Sequence, residues 1–144
     1  MKNIASNKNA KRNYEILKTF EAGIELFGTE VKSISKSNCS INEAYIMINN
    51  SEAFIMNMHV ANFFEGNIQN KDPLRNRKLL LHKNEIVRLD FDRKKESLTI
   101  IPIKLYWKKN KIKVLIGLAK GKKIFDKRED IKKRDEIRFI QKNF

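Results

Sequence analysis

The strongest constraint in this chain is a pair of apolar alternations separated by four polar residues. Ile101, Ile103, Leu105 and Trp107 recur at every second position, Lys108-Lys109-Asn110-Lys111 interrupts them, and Ile112, Val114, Ile116 and Leu118 resume the period. A period of two sends successive side chains to opposite faces, so each run is a strand buried on one side. A spacer this short makes the pair an antiparallel hairpin. Pro102 offers no N–H, which predicts an edge or a bulge at that point.

Such a hairpin needs other strands to cover its apolar face. Tyr14, Ile16 and Phe20 alternate, with Ile24 and Leu26 beyond Gly23, where a bulge or sharp bend is expected. Ile41–Ile48 and Ala53–Val60 read as two more strands joined by Asn49-Asn50-Ser51-Glu52. Two helices are expected between them. Thr29–Ile34 forms a short one, capped by Thr29, with Val31 and Ile34 inward. Leu79–Lys95 forms a longer one with Leu79, Ile86, Leu89 and Val87 or Phe91 toward the core. Ser35–Ser40 is a polar turn, and Asn62–Asn76, holding Gly66 and Pro73, a long loop. The chain's 144 residues suit one domain with a tail. The fold class is therefore mainly β with inserted α-helices: an antiparallel β-barrel like the oligonucleotide-binding (OB) fold over 14–119, because closure removes sheet edges. Residues 1–13 read as a flexible basic arm, and 120–144 as a basic C-terminal tail that is disordered when free and helical on a partner.

Charge narrows the function. Thirty-one Lys and Arg against 17 Asp and Glu give a net charge of +14. The cations are segregated: from Lys104 to Lys123 there are eight lysines and no acid, and the first thirteen residues carry Lys2, Lys8, Lys11 and Arg12, again without an acid. Compositional drift does not clear whole segments of acids, so nucleic acid is the expected partner. No apolar run is long enough to span a membrane, no basic segment has a broad apolar face for a membrane surface, and no secretory leader is visible. One Cys excludes a disulfide scaffold and fits a cytoplasmic protein.

The usual motifs of chemistry are missing. Gly117-Leu118-Ala119-Lys120-Gly121 has neither Walker nor Rossmann spacing. His59, His82 and Cys39 lie on separate elements, so no metal site is expected; Asp90 and Asp92 sit among Arg88, Arg93, Lys94 and Lys95 as salt-linked surface carboxylates. Aromatic rings beside cations carry more: Tyr14 after Lys11-Arg12, Tyr106-Trp107 before Lys108-Lys109, and Phe125 after Lys122-Lys123. Rings so flanked can stack on unpaired bases, although Trp107 reads first as a core residue.

Four blocks of the chain resemble the SmpB family, the tmRNA-binding (SsrA-binding) proteins of bacteria. They are Tyr14-Glu15-Ile16 through Phe20-Glu21-Ala22-Gly23; Gly28-Thr29-Glu30-Val31-Lys32-Ser33; Asp72-Pro73-Leu74-Arg75-Asn76-Arg77-Lys78-Leu79-Leu80-Leu81-His82-Lys83; and Gly117 to Lys132. The resemblance implies an OB-type barrel that binds the tRNA-like domain of tmRNA and delivers it to stalled ribosomes for trans-translation. It implies no cofactor, no metal, no small-molecule substrate and no covalent chemistry. By matching motif, Glu21, Leu80 and Lys113 correspond to family positions important for tmRNA binding. Lys113 lies out of phase with its apolar neighbours and can meet a phosphate; Leu80, beside Arg77 and Lys78, can pack on a splayed base; Glu21 can accept from a base edge, orient a cation or serve a purely structural role. Lys11, Arg12 and Tyr14 would complete the positive surface. The family's tail enters the mRNA channel and decoding site of the small ribosomal subunit. Here Gly121 would be the joint, with Lys122, Lys123, Phe125, Lys127, Arg128, Lys132, Lys133 and Arg134 meeting ribosomal RNA, and Asp126 pairing with neighbouring cations. Arg12-Asn13, Phe125 and Ser37 depart from the family pattern, which usually has Gly at the Ser37 position. The alternative reading is a general OB-fold or ribosome-associated structural protein.

Overall fold

The computed structural model describes residues 2–62 and 72–121. The expected hairpin is present as β8 (Thr99–Lys108) and β9 (Lys111–Gly121), joined by Lys109 and Asn110 at φ of 50° and 63°. Positive φ at both central residues is what lets a two-residue turn match the strands' twist. Ile112, Val114, Ile116 and Leu118 all enter the core. On β8 the alternation is broken by a bulge between Pro102 and Lys104. Ile100 and Leu105 therefore join the main core while Ile101 joins a smaller cluster with Ala10 and Ala119. Gly117 lies opposite Ile101; a Cβ there would sit 2.8 Å from Ile103 Cδ1 and 3.2 Å from Ile16 Cγ2, so the Ile103 side chain at the bulge fills the space glycine leaves.

Around this hairpin a ring closes. β2 (Tyr14–Ile24) pairs with β9 along nearly its whole length and with β7 (Arg77–Leu80) at its end. β7 pairs with β5 (Glu52–Met56), β5 with β4 (Tyr45–Asn49), and β4 meets β8 at Ile46 opposite Ile100. The order β8-β4-β5-β7-β2-β9, shut by β8–β9, is the expected antiparallel barrel. A separate two-stranded ribbon pairs β3 (Cys39–Ser40) with β6 (His59–Val60).

Several expectations are corrected. β2 is one continuous strand: its register slips at Leu17, between Ile16 and Lys18, rather than at Gly23. Residues of the supposed flexible arm form β1 (Lys2–Ser6), paired with β8, and a helical turn α1 (Ala10–Asn13). Buried Asn7 fastens them, its backbone N–H donating to the Ile103 carbonyl and its side chain to the Pro102 carbonyl, both at 2.8 Å. The strands expected over 41–48 and 53–60 are shorter: the first starts at Tyr45, because Ile41 to Ala44 form a turn with Ala44 N–H donating to Ile41 O at 3.1 Å, and the second breaks where Asn57 bends the chain at positive φ. Leu79 belongs to strand β7, not to a helix; α3 runs Lys83–Glu96, with Ile86 and Leu89 buried and Val87 and Phe91 exposed. The barrel ends at Gly121 rather than 119. Part of the Asn62–Asn76 loop and the tail from Lys122 lie outside the described residues.

Helix α2 (Gly28–Ser35) starts one residue early, and Thr29 does not cap it. The Glu30 carboxylate does, accepting the Phe27 N–H at 2.9 Å. The same buried carboxylate receives Arg75 Nε at 2.8 Å and Nη2 at 2.6 Å, and Arg77 Nε at 2.8 Å. Arg77, itself fully buried, also donates to the carbonyls of Met58, Pro73 and Arg75. One acid thereby holds α2, the approach to β7 and the chain before β6. Burial alone would raise the Glu30 pKa, but Arg75, the Phe27 N–H and Arg77 outweigh it and hold the carboxyl below its ordinary value.

Helix α2 ends in a Schellman motif: Asn38 N–H donates to Ser33 O at 2.9 Å and Ser37 N–H to Ile34 O at 2.8 Å, with Ser37 at φ 61°. That position favours glycine. Ser37→Gly should stabilise the protein by roughly 0.5–1 kcal/mol, the left-handed penalty less glycine's added chain entropy, read by thermal denaturation. Glu30→Gln should destabilise it by roughly 3–5 kcal/mol by stranding the Arg77 charge. Because the folded pKa of Glu30 is depressed, its contribution is complete above about pH 4.3 and is lost as pH falls through the lower folded value. Chemical denaturation of Glu30→Gln across pH 3–7 should lack that component.

Candidate nucleic-acid interface

Four strands bring the matched positions into one row. Leu80 on β7 lies opposite Gly23 on β2, Gly23 opposite Lys113 on β9, and Lys113 opposite Tyr106 on β8. Residues directly paired across a sheet share a face, and so does Glu21, two positions from Gly23 on the same strand. Leu80 is half exposed although its strand neighbour Leu79 is buried. Gly23 is the notch between the two flanking side chains: a Cβ there would lie 3.2 Å from Leu80 Cβ and 3.6 Å from Lys113 Nζ. A side chain here would press on Leu80, which would have to give by a few tenths of an ångström.

The row floors an open groove of about 770 Å³. Glu21, Lys78, Leu80 and Lys113 line it, as do the Asn50-Ser51 turn and His82 and Lys83 before and at the start of α3. Its electrostatics are set around Glu21. The Tyr106 hydroxyl donates to Glu21 Oε2 at 2.5 Å, and Lys108 Nζ lies 3.2 Å from both carboxylate oxygens. Those two contacts, with Lys113 nearby, hold the Glu21 carboxyl below its ordinary pKa. Tyr106 is pushed the other way, by burial first and then by Glu21, so it remains a neutral donor. The acid is thus an oriented anion with one side fixed by a buried phenol. On the far wall Lys78 is paired with Glu52 at 2.7 Å.

Glu21, Lys78, Leu80 and Lys113 meet as expected. Arg77 does not: it points into the protein, and its guanidinium is consumed by Glu30 and three carbonyls. Alternation along β7 forces this, since Arg77 and Leu79 share the buried face and Lys78 and Leu80 the other. Lys11 and Arg12 are exposed on α1, and Tyr14 packs against the Ala10–Ile101–Ala119 cluster opposite Gly121. They stand at the opposite end of β2 from the groove. Gly121 closes β9; the other tail residues, Lys122, Lys123, Phe125, Asp126, Lys127, Arg128, Lys132, Lys133 and Arg134, lie outside the described residues.

Sequence reasoning missed the roles of Tyr106 and Lys108 toward Glu21. Both were visible as an aromatic–cation pair, but which face Tyr106 takes depends on the β8 bulge, which alternation alone does not reveal. The remaining titratable candidates are structural. Asp90 pairs with Arg93 at 2.8 Å and Lys94 at 3.2 Å, and Asp92 with Lys18 at 3.5 Å. Cys39 is a half-buried thiol whose pKa burial pushes up to about 11. Among the described residues no three His, Cys, Asp or Glu side chains gather as a metal site, and no helix is long and apolar enough to cross a membrane.

The chain is similar to known proteins over nearly its whole length. The family model described as SmpB protein matches residues 4–144. The SsrA-binding protein of Ureaplasma parvum serovar 3 is 65% identical over 135 residues, covering 94% of this chain and 96% of that one. That of Malacoplasma penetrans is 55% identical over 143 residues, covering 99% and 98%. That of Aquifex aeolicus is 50% identical over 142 residues, covering 98% and 90%. Among solved structures, a chain from "tmRNA-SmpB: a journey to the center of the bacterial ribosome" superposes with a TM-score of 0.69 at 42% identity, covering 82% of this chain and 83% of that one.

Proposed function

The chain belongs to the SmpB family, and from that premise we propose that it is an RNA-binding protein, not an enzyme, that binds the tRNA-like domain of tmRNA and acts with it on the ribosome. The observation that carries this reading is the row Leu80–Gly23–Lys113 with Glu21 beside it, which gathers the three family-matched positions in one groove. Each has chemistry suited to folded RNA. Lys113 offers an ammonium for a phosphate, and Leu80 an exposed apolar side chain for a base or ribose face. Glu21 cannot favour phosphate, but an oriented carboxylate accepts from base amino groups or from the 2′-OH. Carboxylates in the groove, Glu21, Glu52 and Glu85 beside Lys78, Lys83 and Lys113, also select against an RNA that offers only backbone.

In this reading the finer division of labour is between barrel and tail. The barrel grips RNA, while residues 122–144 enter the vacant mRNA channel and decoding site, where their cations gain phosphate contacts that offset the cost of ordering. Lys11, Arg12 and Tyr14 stand at the root of that tail and belong to its surface rather than to the groove. Delivery to stalled ribosomes for trans-translation follows from the two surfaces acting together.

Binding to the tRNA-like domain should weaken about tenfold for both Lys113→Ala and Leu80→Ala. The salt dependence separates them: Lys113→Ala lowers the slope of log K against log[salt] by about 1, and Leu80→Ala leaves it unchanged. Equal affinity for an unstructured RNA of the same length at matched salt would instead favour a general oligonucleotide binder. A chain ending at Gly121 should keep its affinity for the isolated RNA and lose rescue of stalled ribosomes in a reconstituted translation reaction. Loss of both together would refute the division of labour.

A further inference from the structure

We propose that the mouth of the barrel beside the groove is a slot for one unpaired nucleobase of the bound RNA, with the Trp107 indole as its platform. The proposal rests on the RNA-binding reading above and adds to it a second, distinct subsite. A concavity of about 290 Å³ opens there, at the small end of ligand pockets and of a size for a single base with its sugar. Leu26, Val31, Ile112 and Trp107 form apolar walls, and Asn110 and Lys111 stand at the hairpin turn on its rim. Gly23, Leu80 and Lys113 line both this slot and the groove. A nucleotide strand lying in the groove therefore needs only to turn one base across that row to enter.

The chemistry of the slot matches a base better than any other flat group the groove's occupant could offer. A base is apolar on its faces, polar at its edge and tethered to an anion. Trp107 is half-buried and packed against the core, so its ring is already fixed and loses little freedom on stacking. The Asn110 amide, held at the turn with φ 63°, carries both donor and acceptor for a base edge. Charge is distributed in the same sense. Lys78 and Lys108 are paired with Glu52 and Glu21, whereas Lys111 and Lys113 form no salt bridge among the described residues. Two cations left for phosphate, Lys111 and Lys113, therefore stand at the slot, with Lys83 farther along the groove.

Trp107 is the chain's only tryptophan, so its emission reports the slot directly. The full chain is titrated with the tRNA-like domain of tmRNA, and the anisotropy of the end-labelled RNA measures binding independently. The expected result is quenching of Trp107 in step with the anisotropy rise, together with protection of Trp107 from acrylamide. Val31→Phe, which fills the slot without touching the groove, should abolish the quench and weaken binding about tenfold. Asn110→Gly, compatible with the positive φ, should keep the quench and weaken binding severalfold. An anisotropy rise with unchanged Trp107 emission and accessibility overturns the slot and leaves the groove standing. Parent affinity in both variants overturns it as well. Trp107 already shielded from acrylamide before RNA is added means the protein's own chain fills the slot, which also overturns it. No anisotropy rise at all overturns the RNA-binding reading and the slot with it.

Discussion

The structure depends on a single buried carboxylate. Glu30 caps α2 through the Phe27 N–H and binds two arginines from the approach to β7, one of them with no exposed surface. A buried acid with one cation is often no better than an apolar pair, because desolvation consumes the Coulombic gain. Here all six guanidinium nitrogens of Arg75 and Arg77 are divided between that acid and five carbonyls from three segments, so the network also meets backbone needs that an apolar substitute would leave open. Its consequence is positional. With Arg77 drawn inward, strand alternation turns Lys78 and Leu80 outward and fixes the register that sets Leu80 against Gly23. The groove floor is the outward face of a strand whose inward face is an ion network.

A second acid works by contrary means. Glu21 stands at the surface, held by the Tyr106 hydroxyl on one side and Lys108 on the other. Such exposed pairs add little to stability because water screens them. Their effect is on orientation and on protonation: the carboxyl stays ionised while the phenol stays neutral. In a chain of net charge +14 an oriented anion at the binding face is a means of discrimination, since a uniformly positive surface holds any polyanion.

Legibility in the sequence followed the kind of interaction. The β8–β9 hairpin was written in an apolar alternation that needs no knowledge of the rest of the chain, although the register shift at the β8 bulge was not. Ile34, Ile86 and Leu89 were readable for the same reason. The failures share a cause: the deciding partner was remote. β1 has only Ile4 and Ala5 to set against the core, too short a pattern to read, and becomes a strand because the β8 edge offers it pairing and Asn7 ties it to Pro102, 95 residues away. Leu79 looked helical because Leu79-Leu80-Leu81 has no period, and pairing with Ala53 on one side and Ile24 on the other makes it a strand. Arg77 looked like a phosphate ligand because its charge is visible and the depth to which Glu30 draws it is not. Resemblance located Glu21, Leu80 and Lys113 without saying why Gly23 is bare between them; the ladder supplies that reason.

The position of the two ends of β2 bears on how one small barrel can hold two partners. Tyr14 lies opposite Gly121, where β9 finishes, and Gly23 lies opposite Lys113 at the groove. Nine residues of strand separate the two, about 30 Å at the usual rise. The chain therefore leaves the barrel far from the surface on which Leu80 and Lys113 stand. An extension rooted beside the groove would compete with RNA for the same cations. One rooted at the other end, next to Lys11, Arg12 and the small Ala10–Ile101–Ala119 cluster, does not, and both surfaces remain usable at once. The β2–β9 ladder is the spacer, and the bulge at Leu17, the bulge at Ile103 and the bare Gly117 are what let two such long strands curl into a closed ring while keeping that length.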